Sequence, residues 1–134
     1  MALTLAGPTP LLEVFDLPAS IAFYRDVLGF TLVSGDDTWW CMLQLGSSTL
    51  MLNTAYDSAE RPSTPEPQRV RGHADVSLYF DADPDESYAH LLSMGWPASP
   101  PAVTSYGFRQ VLTKDPDGFQ LCFHRLIAKS ASPQ

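Results

Sequence analysis

The side chains with most capacity for chemistry are His73, His90 and His124, Cys41 and Cys122, and Glu13, a carboxylate inside the apolar run LLEVF. The histidines show no metal-ligand spacing, and no CxxC, HExxH, GxSxG, P-loop or GxGxxG pattern occurs. Both cysteines lie in strand-like runs, WWCMLQL and FQLCFHR, which predicts buried free thiols rather than a disulfide. Cys122 and His124 are two apart on a strand, so they share a face at a separation of about 7 Å, too far for direct proton relay. Glu13 is either a solvated edge carboxylate or a cleft carboxylate that binds a cation or acts as a base. Arg109 is either an ion-pair partner or a recognition group for carboxylate or phosphate. Trp39 and Trp40 must face opposite sides of a strand. Alternation with Cys41, Leu43 and Leu45 puts Trp40, Met42 and Gln44 on one face, where an indole stacks on a planar ligand or covers a core edge.

The elements that must position these groups are those of an ordinary folded domain. Hydrophobic residues make up 45% and charged residues 17%, which excludes collagen, coiled coil and wholesale disorder. No apolar run approaches the ~18 residues of a membrane span, and the N-terminus lacks the basic and apolar regions of a signal peptide. We expect a cytoplasmic protein. Eight basic against 15 acidic residues give a net charge of −7, which argues against phosphate-backbone binding. Neither nucleic acid nor membrane is an expected partner.

The chain reads as one domain, 1–134, of two similar modules, 8–54 and 71–127, joined by a linker over 55–70. The Pro-rich stretch AYDSAERPSTPEPQ lies in that linker and predicts irregular structure. Alternation predicts a strand over 10–15. Asp16 then offers an N-cap, Pro18 suits a first helical turn, Ile21, Tyr24 and Leu28 repeat at helical spacing, and Gly29 ends the helix. Strands are expected over 30–34, 39–45 and 49–54. The second half repeats this order, with a strand over 75–81, a helix opened by Asp83-Pro84 and closed by Gly95, and strands over 96–98, 108–114 and 119–126. Asp115-Pro116-Asp117-Gly118 is a hairpin turn. Pro18 and Pro84, Gly29 and Gly95, and the aromatics Phe30 and Trp96 all lie 66 apart, so the chain reads as a duplicated βαβββ module. The tail from Ala128 is expected to fray, and His73 to be a surface residue.

PLLEVFDLPASIAFYRDVLGF resembles the first strand and helix of the vicinal oxygen chelate superfamily, which includes glyoxalase I, extradiol dioxygenases and bleomycin-binding proteins. YGFRQVLTKDPDGFQLCFHR is similar to the family's closing hairpin. The resemblance implies an α+β fold of two βαβββ modules, with mixed curved sheets enclosing a cleft. In metal-dependent members, His, Gln and Glu from the outer strands of each module ligate the ion. Carried over, those positions fall on Thr9, Met51 and Cys122, and on Asp75, Val76 or Ser77. That set predicts no metal and no other cofactor. The resemblance thus implies a metal-independent binding protein for a drug or metabolite, akin to the bleomycin-resistance members. The alternative is a metal-dependent lyase, isomerase or dioxygenase with a non-standard site. The expected ligand-binding residues are Glu13, Trp40, Met42, Met51, Asn53, Tyr106, Arg109, Cys122 and His124, with no catalytic residue assigned. The family's habit implies a symmetric homodimer, with module pairing either within the chain or by strand exchange at Pro10.

Overall fold

A computed structural model of the chain describes residues 2–127; the tail expected to fray lies outside the described residues. The chain divides into two compact units, Met1–Arg61 and Pro62–Gln134.

The first unit holds β1 (Leu11–Val14), α1 (Leu17–Ala22), β2 (Thr31–Gly35), β3 (Trp40–Leu45) and β4 (Ser48–Thr54). The sheet order is β1-β4-β3-β2, with β1 parallel to β4 and the other pairs antiparallel. Asp16 caps α1 by accepting from the Ala19 backbone N–H at 3.2 Å, as its place before Pro18 predicts. The helix does not stay α-helical to Gly29. It widens into a π-helical turn, Phe23–Val27, where the Leu28 amide reaches back to the Phe23 carbonyl at 3.1 Å. The buried side is Leu12 and Val14 of β1, Cys41 and Leu43 of β3, Leu50 and Leu52 of β4, and Leu17, Ile21 and Tyr24 of the helical segment. Tyr24 meets Phe23 and Phe30 edge-on, with centroids 5.0 and 5.8 Å away. A bulge at Val33 shifts the β2–β3 register, and Gly35, with φ +76, lets Trp40 pass close over it.

The second unit repeats the topology. Its elements are α2 (Pro67–Ala74), β5 (Ser77–Asp81), α3 (Pro84–Ser93), β6 (Ala102–Val103), β7 (Phe108–Lys114) and β8 (Gln120–Leu126), in sheet order β5-β8-β7-β6. Asp83 caps α3 by accepting from the Asp85 and Glu86 amides. Gly29 and Gly95 both adopt positive φ after their helices, the property that made them matching landmarks.

Three expectations need correction. Residues 67–74, from the expected linker and the start of the second module, form α2, with Pro67 at its first turn. That helix shortens β5, which begins at Ser77 rather than residue 75. No strand forms over 96–98: the Trp96 indole N–H donates to the Lys114 carbonyl at 2.9 Å, and Pro97, Pro100 and Pro101 lack the donors a ladder needs. The pairing strand is instead Ala102–Val103.

Candidate functional site

Each sheet has one face packed by its helix and one open face. The open face of the first unit is set by cross-strand rows. Glu13, Asn53 and Trp40 are consecutive partners across β1, β4 and β3, and Leu11, Met51 and Met42 form the adjacent row. Thr9 extends the face, its hydroxyl 3.1 Å from that of Thr49. Alternation therefore places Trp40, Met42, Met51, Asn53 and Glu13 together, as read from the sequence. The face is half-buried at its centre, with Leu11 and Glu13 exposed at its β1 edge. Asn53 Oδ1 is buried and receives no hydrogen bond. A buried acceptor left in that state favours any ligand that brings an N–H or O–H to it.

In the second unit the rows are Tyr79, Cys122 and Leu112, then Asp81, His124 and Gln110. His124 stacks on Phe108 at 4.7 Å and meets Tyr79 edge-on at 5.0 Å. Tyr106 extends the aromatic surface, 5.9 Å from Phe108, and is 64% exposed. Cys122 lies beneath these groups, 1% exposed, with its thiol donating to Gln110 Oε1 at 3.5 Å. Burial raises the Cys122 pKa above its ordinary value, so the group is a protonated thiol at neutral pH rather than a nucleophile. Burial likewise raises the Cys41 pKa, from within the packed side of its sheet.

Arg109 stands apart. Its neighbours at the same strand parity, Val111 and Thr113, are buried on the α3 side. Its guanidinium grips Asp85 of α3 in a two-point contact, Nε to Oδ2 at 3.0 Å and Nη2 to Oδ1 at 2.7 Å. The structure thus joins Arg109 to the helix rather than to the open face. The hydrogen bond and charge of Arg109 lower the Asp85 pKa.

Sequence reasoning missed Tyr79, Gln110 and Leu112 as members of the open face. The signal was available in pairing: once Cys122 is placed, its partners Tyr79 and Leu112 follow. It also misjudged His73, which sits on α2 with its ring stacked 4.0 Å from Phe119 and Nδ1 2.8 Å from the Asp117 carbonyl oxygen. His73 thereby ties α2 to the hairpin turn.

At the positions that the resemblance assigns to metal ligands, the donors do not fit a divalent ion. Thr9 and Thr49 hydroxyls engage each other, Met51 offers a thioether, and Cys122 a buried protonated thiol. Of Asp75, Val76 and Ser77, only Ser77 lies in β5, facing Gln120. Hydroxyl and amide oxygens without a carboxylate or imidazole are weak ligands for Zn²⁺, Fe²⁺ or Ni²⁺. Among the described residues no group of three or more His, Cys, Asp or Glu is placed to hold a metal.

Two βαβββ units of identical strand order, each with one helix-covered and one open face, define an α+β protein of the paired-module class. The chain belongs to the Glyoxalase/Bleomycin resistance protein/Dioxygenase superfamily, whose family model matches residues 9–123. Solved structures agree in fold. A bleomycin resistance determinant encoded on the transposon Tn5 is 23% identical, with 92% of this chain and 100% of that chain covered and a TM-score of 0.71. The bleomycin-binding protein of Streptomyces verticillus, solved with copper(II)-bleomycin, is 20% identical over 91% and 97% of the two chains, at 0.69. A lactoylglutathione lyase from Agrobacterium tumefaciens is 21% identical over 90% and 93%, at 0.66. No curated protein matches the sequence. Among the described residues no helix is long and apolar enough to cross a membrane.

Proposed function

We propose that this protein is a metal-independent binder of a small molecule, a drug or metabolite, which it holds on the open faces of its sheets without chemical change. The observation that carries the reading is the buried, undonated Asn53 Oδ1 set between Trp40 and Glu13, in the row beside Met42 and Met51. An indole for stacking, an acceptor for an N–H, a carboxylate at the edge and a polarizable apolar floor suit a planar, nitrogen-rich, cationic ligand. Tyr79, Tyr106, Phe108 and His124 give the second open face a similar aromatic character. The likeness in fold to a bleomycin-binding protein and to a bleomycin resistance determinant supports the same class of ligand. The reading includes a cytoplasmic homodimer. Exposed apolar residues on these faces, such as Leu11, Tyr79 and Leu126, support an assembly that covers them.

Copper(II)-bleomycin and metal-free bleomycin are the probes, titrated by calorimetry against the full chain. We expect saturable binding that Trp40→Ala and Asn53→Leu each weaken by about tenfold, a loss of ~1.4 kcal/mol from stacking or from an unpaired polar group. Circular dichroism melts of both variants check that they remain folded. Binding that both variants leave unchanged would move the ligand off this face. A stoichiometric divalent metal in purified protein would overturn metal independence. Light scattering that gave a particle of 14.7 kDa at micromolar concentration would reject the dimer.

A further inference from the structure

The first unit carries a second concavity on its helix side, away from Trp40 and Asn53. It is a groove of about 380 Å³ between the start of α1, the turn before β3 and the segment after β4. Its walls include Asp37, Trp39, Thr54, Tyr56, Asp57 and Arg61. Trp39 is 60% exposed, an unusual degree for the largest apolar side chain. Its position is fixed on both sides. The Trp39 carbonyl accepts from the Thr54 amide at 3.1 Å, and the preceding turn is locked by Asp36, whose carboxylate accepts from the Thr38 amide at 2.9 Å and from its hydroxyl. Asp36 is thereby occupied. Its neighbour Asp37 lines the groove with no hydrogen-bond or ion-pair partner among the described residues.

Across the groove, Tyr56 is anchored by its amide donating to Thr54 Oγ1 at 3.1 Å, and its ring packs edge-on to Phe15 at 6.0 Å. Asp57 is held by the Ala59 amide at 3.0 Å. Arg61 does not cancel these acids. Its guanidinium lies 5.8 Å over the Phe15 ring and 3.6 Å from the Asp16 carboxylate, so it is one cation shared with a third acid. The groove thus presents an exposed indole and two carboxylates, with Arg61 on its wall beside Asp16. Indole faces attract cations by their quadrupole, and fixed acids beside them raise that attraction.

We propose that this groove is a separate binding site for a small organic cation, a quaternary or primary ammonium group carried on an apolar body. Trp39 supplies the cation–π face, and Asp37 and Asp57 supply the charge. The site needs neither open face, so it stands whether or not those faces bind a ligand.

Benzyltrimethylammonium is the probe, and benzyl alcohol is its neutral control. Binding to the full chain is followed by NMR of the three indole N–H signals, with Trp39→Phe assigning one of them. We expect the cation to shift the Trp39 signal saturably and the alcohol to leave it in place at equal concentration. Asp37→Asn with Asp57→Asn removes both charges yet keeps the turn geometry, because the side-chain amide oxygen introduced at position 57 still accepts from the Ala59 N–H; it should weaken binding roughly three- to tenfold. Trp39→Leu should weaken it about two- to fivefold. Raising salt to ~0.3 M should weaken the wild type and leave the double variant unaffected. Equal shifts with cation and alcohol, undiminished affinity in folded variants, or shifts confined to Trp40 or Trp96 would each overturn the proposal.

Discussion

Replacing Asp115 tests how the closing hairpin presents Cys122 and His124. Asp115 is 4% exposed, and its Oδ1 accepts from the Asp117 amide at 2.9 Å and from the Phe119 amide at 3.0 Å. The backbone closes the same turn, with Asp115 N–H to the Phe119 carbonyl at 2.9 Å and Gly118 N–H to the Asp115 carbonyl at 3.1 Å. Asp115→Ala therefore removes a charged acceptor from two amides, one of them buried. Hydrogen bonds to a charged group contribute ~1.5–3 kcal/mol each, and relief of the buried charge offsets part of their loss, so we expect a net cost of about 3 kcal/mol. For a domain of this size that lowers the melting temperature by roughly 10 °C. Asp115→Asn keeps an acceptor and should cost about 1 kcal/mol. The assay is thermal unfolding by circular dichroism, with urea titration as a check on two-state behaviour. An alanine variant that melts within about 3 °C of wild type would mean that backbone pairing alone holds the turn.

Other perturbations follow from the same geometry. Gly35→Ala should cost roughly 2–4 kcal/mol in urea unfolding, because φ is +76 and an added Cβ would fall 2.2 Å from the Trp40 carbonyl oxygen; Gly46→Ala, with φ +58 and open space, should cost about 1 kcal/mol. Cys122 and Cys41 should react slowly with a chromogenic disulfide reagent at pH 8 while folded and rapidly in guanidinium, and a fast native phase would contradict their burial. Asp85 has a lowered pKa in the folded state, so the folded chain binds fewer protons there and the contribution of the ion pair is fully present above the unfolded value. The stability gap between wild type and Asp85→Asn should hold at neutral pH and shrink as pH falls through and below 3.8. A gap unchanged down to that range would show that the Arg109 contact contributes nothing through charge.

The parts legible in the sequence were those in which local chemistry and tertiary packing agree. Asp16 and Asp83 cap helices where they stand before proline, and Gly29 and Gly95 take the positive φ their positions after helices require. Alternation sorted Leu50 and Leu52 from Met51 and Asn53 because β4 is buried on one face only. Helix α2 was illegible because Pro65, Pro67 and the surrounding charges read as a loop, and no residue of it is buried to leave an apolar stripe. For Arg109 the ion-pair and ligand-recognition readings stayed open because its partner Asp85 lies 24 residues earlier, on another element, where spacing gives no sign of it. The π-helical turn depends on a carbonyl choosing a donor five residues on, a choice that side-chain spacing does not record.

The strand order has a consequence for synthesis. Among the described residues β1 pairs with β4 alone, so Val14 finds its partner Thr54 some forty residues later. At a ribosomal pace of ~5–20 residues per second, β1 waits roughly 2–8 s with both edges bare, time enough for neighbouring nascent chains to pair with it. Glu13 stands mid-strand on the side that stays open after folding. Its charge repels a like strand during that interval, so the carboxylate acts as a gatekeeper for the newborn chain.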